Sequence, residues 1–338
     1  MSGDKLIPVT VLTGFLGAGK TTLLNQLLTQ PHGYRCAIII NEFGSVSIDN
    51  QLVVGADEEI TELNNGCLCC RLRGDLVRCL HDLLQRQKRF DYVLIETTGL
   101  ADPSPIAHTF MASELVKRFR LDAIVTVVDA RHIEKTLETA PEATAQIAFA
   151  DVLLLNKTDL VTAPDLARLE ARLRRMNALA KIHRTQRAQI EVANIFNVQA
   201  RELAAPMPVA PEEPDDALEF IHEAPDPARD AAPPHHHHDE RVRSFVIQED
   251  RPLDLRKTEK WLTDLLSSRG EDLYRCKGIL YVYGMSQRIV FQGVQMMFEA
   301  EPDRVWHPKE KKTTQLVFIG KDLNESVIRE DFAKCLAN

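Results

Sequence analysis

Between about residues 6 and 204 the chain alternates short, unbroken apolar runs with longer stretches in which leucine recurs at helical spacing. The runs at 7–12, 37–40, 92–95, 123–128 and 152–155 are dense in Val, Ile and Leu, with no polar residue at every second position. Strands of that kind are buried on both faces, the condition of a parallel sheet with helices on each side. Stretches 21–29, 73–87 and 165–176 supply the intervening helices. The alternation predicts an α/β fold, a P-loop NTPase-like domain with a mostly parallel sheet. No internal repeat is visible.

The pattern breaks after residue 204. Residues 206–239 hold eight prolines, many acids and the run His235 to His238, with few large apolar side chains. Such a composition cannot bury enough apolar surface to offset chain entropy and reads as a linker. Beyond it, 242–248, 278–283, 288–294 and 315–319 read as strands, and 256–267 and 325–336 as helices. The expected organisation is a P-loop domain at 1–205, a Pro/acid/His linker at 206–240 and a smaller C-terminal α+β domain at 241–338. A chain of 338 residues is long enough for two cores.

Composition narrows the partners. A net charge of -8 argues against nucleic acid, which is held by clustered Lys and Arg. The basic run at 172–175 lies on a predicted helix that also carries acids and reads as a solvated face. No window approaches the roughly 20 apolar residues of a membrane span. The first residues run into a strand without a charged region and removable apolar segment, so a cytoplasmic protein is expected. Seven cysteines, three within four positions, suit one metal better than a disulfide scaffold.

The strongest chemical signal is Gly14-Phe-Leu-Gly-Ala-Gly-Lys20-Thr21, the G-x-x-x-x-G-K-[ST] pattern between a predicted strand and helix. Gly14, Gly17, Ala18, Gly19 and Thr22 are expected to cradle phosphates through backbone N–H groups at a helix N-terminus. Lys20 adds charge at the β and γ groups, and the Thr21 hydroxyl ligates Mg²⁺. Asn156-Lys157-Thr-Asp159 ends another apolar run and matches the N-K-x-D element in which Asp159 accepts from guanine N1 and the exocyclic amine. GTP and GDP are therefore the expected ligands, with 184–187 a candidate to pack over the base. Glu96-Thr-Thr-Gly99 follows a third run, where P-loop enzymes place an acid near Mg²⁺ and a glycine N–H at the γ-phosphate. Asn41-Glu42-Phe-Gly and Ile48-Asp49 stand where a first switch belongs. Asp49 is the candidate for reaching Mg²⁺ or the attacking water. Lys20, Thr21, Asp49 and Glu96 form the expected catalytic set.

Cys67-Leu-Cys69-Cys70 lies between the two switch positions, in an Asn-Asn-Gly loop context. Three thiolates suit Zn²⁺, with Co²⁺ next; the fourth ligand is left open between Glu42, another side chain, water and a client. Cys36, Cys79, Cys276 and Cys335 sit singly in apolar surroundings and read as packing residues. The tract at 235–238 is either a weak site for Zn²⁺, Co²⁺ or Ni²⁺ or a solvated part of the linker.

These motifs, in this order, resemble those of CobW-type GTPases, in the group that also contains the hydrogenase and urease nickel-insertion GTPases. The resemblance extends past the linker through Cys276-Lys-Gly-Ile-Leu, Phe291-Gln-Gly-Val-Gln and Leu316-Val-Phe-Ile-Gly. It implies a GTP-hydrolysing metallochaperone that delivers zinc or cobalt to a metal-requiring client protein. GTP with Mg²⁺ would order the switches and tighten the thiol site, and hydrolysis would release the metal. A zinc buffer or sensor that responds to GTP without delivery, and a small-molecule P-loop kinase, are the alternatives. The tract at 235–238 is shorter than the His-Asp runs of some cobalt-associated members.

Overall fold

The computed structural model describes residues 6–41, 59–63, 69–85, 90–112, 114–200 and 241–337. The N-terminal apolar runs become strands β1 (Ile7–Thr13), β2 (Cys36–Asn41), β4 (Tyr92–Glu96), β5 (Phe119–Asp129) and β6 (Val152–Asn156). With β3 (Glu59–Leu63) and β7 (Lys181–Arg184) they form a seven-stranded sheet in the order β3-β2-β4-β1-β5-β6-β7. Its strand pairs are all parallel. Helix α1 (Lys20–Thr29) buries Leu23, Leu24 and Leu27 against Ile38, Leu94 and Val125 on one face. Helices α2 (Cys69–Gln85) and α3 (Ser104–Ala112) cover the other, with Leu76, Leu80 and Phe110 against Val9, Val93 and Ile95. Helices α4 (Ile133–Thr139), α5 (Pro141–Phe149) and α6 (Ala163–Met176) complete the layer around β6.

The second sheet is antiparallel, in the order β11-β10-β9-β12-β8. Its strands are β8 (Val242–Glu249), β9 (Leu273–Leu280), β10 (Gln287–Val294), β11 (Met297–Val305) and β12 (Thr314–Lys321). Helices α7 (Leu255–Arg269) and α8 (Glu325–Ala333) pack Trp261, Leu265 and Phe332 onto Phe245, Cys276 and Phe318. The opposite face lies against the first domain, where Val242, Val317 and Ile319 meet Ala148 of α5 and Leu179. With both faces covered, β12 is the uninterrupted apolar run that the sequence displays.

The expected fold class is the one observed. Four differences have physical causes. Strands β3 and β7 are edges of the sheet, so neither carries the continuous apolar run of a doubly buried strand. Helix α5 buries Ala143, Ala145, Gln146, Ile147, Ala148 and Phe149, which leaves little amphipathic periodicity to read. Strand β5 begins at Phe119 rather than 123 because Asp122, fully buried, accepts from Tyr92 OH at 2.8 Å and from the Val198 and Gln199 amides at 2.8 and 3.0 Å. Strand β9 lies at 273–280 instead of 278–283; its first half carries the charged Arg275 and Lys277, which are 6% and 5% exposed and so break the apolar run that would mark a strand. The linker at 206–240 lies outside the described residues.

Candidate functional site

In a parallel sheet every strand ends at the same edge, and ligands of such folds sit beyond those carboxyl ends. The P-loop follows β1, Glu96 ends β4, Asp129 ends β5 and Asn156 ends β6. All the motif residues that the structure describes therefore meet along one edge.

The loop Gly14 to Gly19 turns directly into α1, whose first residue is Lys20. Lys20 Nζ donates to the Gly14 carbonyl at 2.8 Å, folding the amine back over the loop. Gly19 has φ +112°, and a Cβ there would stand 2.7 Å from Asn156 Nδ2, so loop and β6 touch where only glycine fits. Asn156 itself is buried and fully engaged. Its Nδ2 donates to the Ala18 carbonyl at 2.9 Å, and its Oδ1 accepts from Thr185 Oγ1 at 3.2 Å and the Ala188 amide at 2.8 Å. Lys157 adopts φ 60° and reaches the Gly17 carbonyl at 2.8 Å and Asp129 Oδ2 at 2.6 Å. Burial would raise the Asp129 pKa, but hydrogen bonds from Lys157 and His132 outweigh it and hold the carboxyl below its ordinary value. Asp159 lies in a 3-10 turn at Thr158–Leu160 and is exposed. Asn156 and Lys157 thus tie the N-K-x-D segment to the loop after β1, while Asp159 is its exposed carboxylate.

At the other flank, Thr21 Oγ1 donates to Glu96 Oε1 at 3.0 Å, and Glu96 is 4% exposed. A hydroxyl and a carboxylate paired this closely are hard oxygen donors, which fits Mg²⁺. Past Glu96, the Thr97 amide donates to the Leu12 carbonyl at 2.9 Å and Thr97 Oγ1 to Thr13 Oγ1 at 2.9 Å. A Cβ on Gly99 would fall 2.7 Å from the Leu16 backbone nitrogen, so the loop after β4 lies directly on the phosphate loop. Thr22 is exposed on α1 and Ala18 is buried.

The metal candidates divide differently. Cys69 and Cys70 open α2, while Cys67, Glu42 and Asp49 lie outside the described residues, as does the tract at 235–238. Among the described residues there is no group of three or more His, Cys, Asp or Glu able to hold a metal ion. Cys36, Cys79, Cys276 and Cys335 are buried. No helix among the described residues is long and apolar enough to cross a membrane.

Gln146 is a residue that sequence reasoning missed, and Thr185, inside the 184–187 stretch, takes a contact not expected of it. Thr185 closes on Asn156, and Arg184, grouped with it as a base-packing candidate, instead binds Glu170 on α6 at 2.7 Å. Gln146 on α5, 1% exposed, donates from Nε2 to the Gly99 carbonyl at 3.1 Å and the Ala101 carbonyl at 3.0 Å. No local motif marks either, since each acts on a loop distant in sequence.

The family model described as CobW/HypB/UreG, nucleotide-binding domain, matches residues 8–184, and that of the cobalamin synthesis protein cobW C-terminal domain matches 242–336. The zinc chaperone YjiA of Escherichia coli is 38% identical over 332 residues, covering 97% of this chain and 98% of its own. The zinc chaperone CobW of Pseudomonas aeruginosa is 32% identical, covering 98% of this chain and 92% of its own. The crystal structure of the Zn(II)-bound YjiA GTPase from E. coli aligns with a TM-score of 0.75 at 33% identity, covering 98% of this chain and all of that one.

Proposed function

The chain belongs to the CobW/HypB/UreG family and is a GTPase, and from that premise we propose that it couples GTP hydrolysis to transfer of zinc to a metal-requiring client protein. One observation carries the coupling. Strand β3 ends at Leu63 on the same sheet edge as the phosphate loop, and α2 begins at Cys69 immediately after that edge. The sheet order puts β3 two strands from β4, roughly 10 Å at the usual strand spacing. The start of α2 at Cys69 and the end of β4 at Glu96 therefore belong to one edge, and the chain runs from the first through α2 to the second.

Within this reading, Lys20 and the loop amides bind the phosphates, Thr21 and Glu96 hold Mg²⁺, Asp159 selects guanine, and Gly99 responds to the γ-phosphate. When bound there, Mg²⁺ would supply charge neutralisation to the phosphates. Asp49 orients water, and Cys67, Cys69 and Cys70 with Glu42 receive the zinc cargo. Zinc is favoured over cobalt because thiolates suit it and because relatives spanning nearly the whole chain carry the name zinc chaperone.

Competitive titration of Zn²⁺ and Co²⁺ against the GTP-bound, GDP-bound and nucleotide-free protein tests the proposal. Zinc affinity should change between the GTP and GDP forms by about 5- to 150-fold, the usual span of allosteric coupling. Cys69→Ser and Cys70→Ser should each abolish that difference. Affinity indifferent to both nucleotide and cysteines would defeat the coupling; nucleotide-dependent affinity without transfer to any client would leave a buffer or sensor.

A further inference from the structure

Helix α5 touches both the nucleotide edge and the C-terminal domain. At its middle, the two Nε2 protons of Gln146 are both used, on the Gly99 and Ala101 carbonyls. An amide has two such donors, so the pair of bonds fixes the Gly99–Leu100 and Ala101–Asp102 peptide planes. Gln146 is itself held, because its own carbonyl accepts from Thr126 Oγ1 on β5 at 2.7 Å.

One turn further on, α5 ends, and its last carbonyls need donors from outside the helix. Asn177 Nδ2 meets the Ile147 carbonyl at 2.7 Å and the Ala150 carbonyl at 2.9 Å. Arg275 of β9 reaches across from the C-terminal domain, its Nη1 2.8 Å from the Phe149 carbonyl. A cation at a helix C-terminus also complements the helix dipole. Arg275 and Lys277 then pair with Asp151, the residue next but one after the helix. The Phe149 and Tyr274 rings lie 5.8 Å apart at the same junction. A short rigid helix is thus gripped at Gln146 by the loop after β4 and at Phe149 by strand β9.

We infer that Gln146 is the positioning residue that sets the Gly99–Ala101 loop for the γ-phosphate, and that α5 transmits the state of this loop to strand β9 of the C-terminal domain. The inference rests on the GTPase reading and adds a residue and a route to it. When the γ-phosphate draws Gly99, the Gly99 and Ala101 carbonyls shift, Gln146 follows, and α5 moves against Arg275. Binding free energies make the linkage reciprocal, so a ligand that displaces β9 changes the preference for GTP over GDP.

The full-length protein tests this with Gln146→Leu and Gln146→Glu, the second keeping the shape while placing a carboxylate against two carbonyls. GDP affinity should stay within about twofold, while the ratio of GTP to GDP affinity and kcat should each fall by about tenfold or more, inside the usual coupling range. A residue that merely supports the fold would weaken both nucleotides together. If neither variant folds, hydrogen exchange on the unaltered protein decides. Residues 141–150 and 273–280 should change protection together between GDP and a non-hydrolysable GTP analogue, and no change in 273–280 overturns the inference. Variants that keep both the nucleotide ratio and kcat overturn it while leaving the GTPase reading intact. An unaltered protein that neither binds nor hydrolyses GTP overturns both.

Discussion

The two ends of the parallel sheet both bury carboxylates, and they treat them in opposite ways. At the carboxyl edge, Glu96 faces the neutral hydroxyl of Thr21 at 3.0 Å, and Lys20 turns its charge onto a backbone carbonyl. At the amino edge, Asp151 is matched by two fixed cations, Arg275 and Lys277, and accepts from the Ile124 amide at 2.9 Å. At the first end, these bonds of Glu96 and Lys20 to neutral groups are ones that a cation and a phosphate can replace at modest cost. The second is closed on itself, with the charges of one domain locked by those of the other. On the proposed reading, function and cohesion fall at opposite ends of the sheet.

The largest expected effect tests the closed end. Asp151→Asn leaves Arg275 and Lys277 buried without their countercharge. Breaking a buried ionic group from one side costs about 3–5 kcal/mol, so the urea midpoint should fall far while nucleotide affinity, measured below the transition, stays near that of the unaltered protein. The same residue sets an acid limb. Burial alone would raise its pKa, but Arg275 and then Lys277 outweigh it and hold the carboxyl below the ordinary range. A depressed folded-state pKa gives stability that is fully present above the unfolded value of about 3.9 and is lost as pH falls through the folded one. Stability measured against pH should therefore drop on acidification below that value, and the drop should be shallower in Asp151→Asn.

The open end responds in activity instead. Lys20→Ala removes the ammonium expected at the β and γ phosphates. Losing one such preorganised group costs about 10²–10³ in rate, and GTP turnover should fall by that factor with little change in the urea midpoint. A large loss of stability with modest loss of turnover would reverse the assignment of roles to the two ends.

How much of this was legible depended on whether a residue's partner was local. The P-loop, Glu96 and Asn156 to Asp159 are short motifs at strand ends, and the apolar runs that place them are continuous because both faces are covered. Arg275 and Lys277 carry no local sign of their burial, since nothing nearby in sequence announces a buried acid more than a hundred residues upstream. Their charges break the apolar run of β9 and hid the face that joins the domains. Gln146 was invisible for a similar reason: an Ala-rich helix buried almost all round shows no polar stripe from which a functional glutamine would stand out. Of the cysteine cluster, the described part, Cys69 and Cys70, is seen as the start of α2.

Asp159→Asn separates recognition from cohesion within the open end. Asn156 and Lys157 are engaged with the phosphate loop, whereas Asp159 is exposed and free of that duty. A hydrogen bond to a charged group is worth about 1.5–3 kcal/mol, so GTP affinity should fall about 10- to 150-fold while ATP affinity is unchanged. Equal binding of GTP and ATP by the unaltered protein, with no effect of the substitution, would return the reading to a small-molecule kinase.

The smallest expected effect is at Arg184, where sequence and structure part company. Its guanidinium binds Glu170 Oε2 through Nε at 2.9 Å and Nη2 at 2.7 Å. Glu170 is also held by Arg174 at 2.9 Å. Burial would raise the Glu170 pKa, but these two arginines, Arg184 foremost, bring it below its ordinary value. Removing Arg184 leaves the carboxylate with a partner and breaks a pair whose arginine is 55% exposed, worth about 0.2–1 kcal/mol. Arg184→Ala should therefore lower the urea midpoint slightly and leave GTP affinity within about twofold, a difference under 0.5 kcal/mol. If GTP affinity falls more than about tenfold, or 1.4 kcal/mol, Arg184 leaves Glu170 for the base when nucleotide binds. The open end would then recruit a side chain that the structure assigns to the surface of α6.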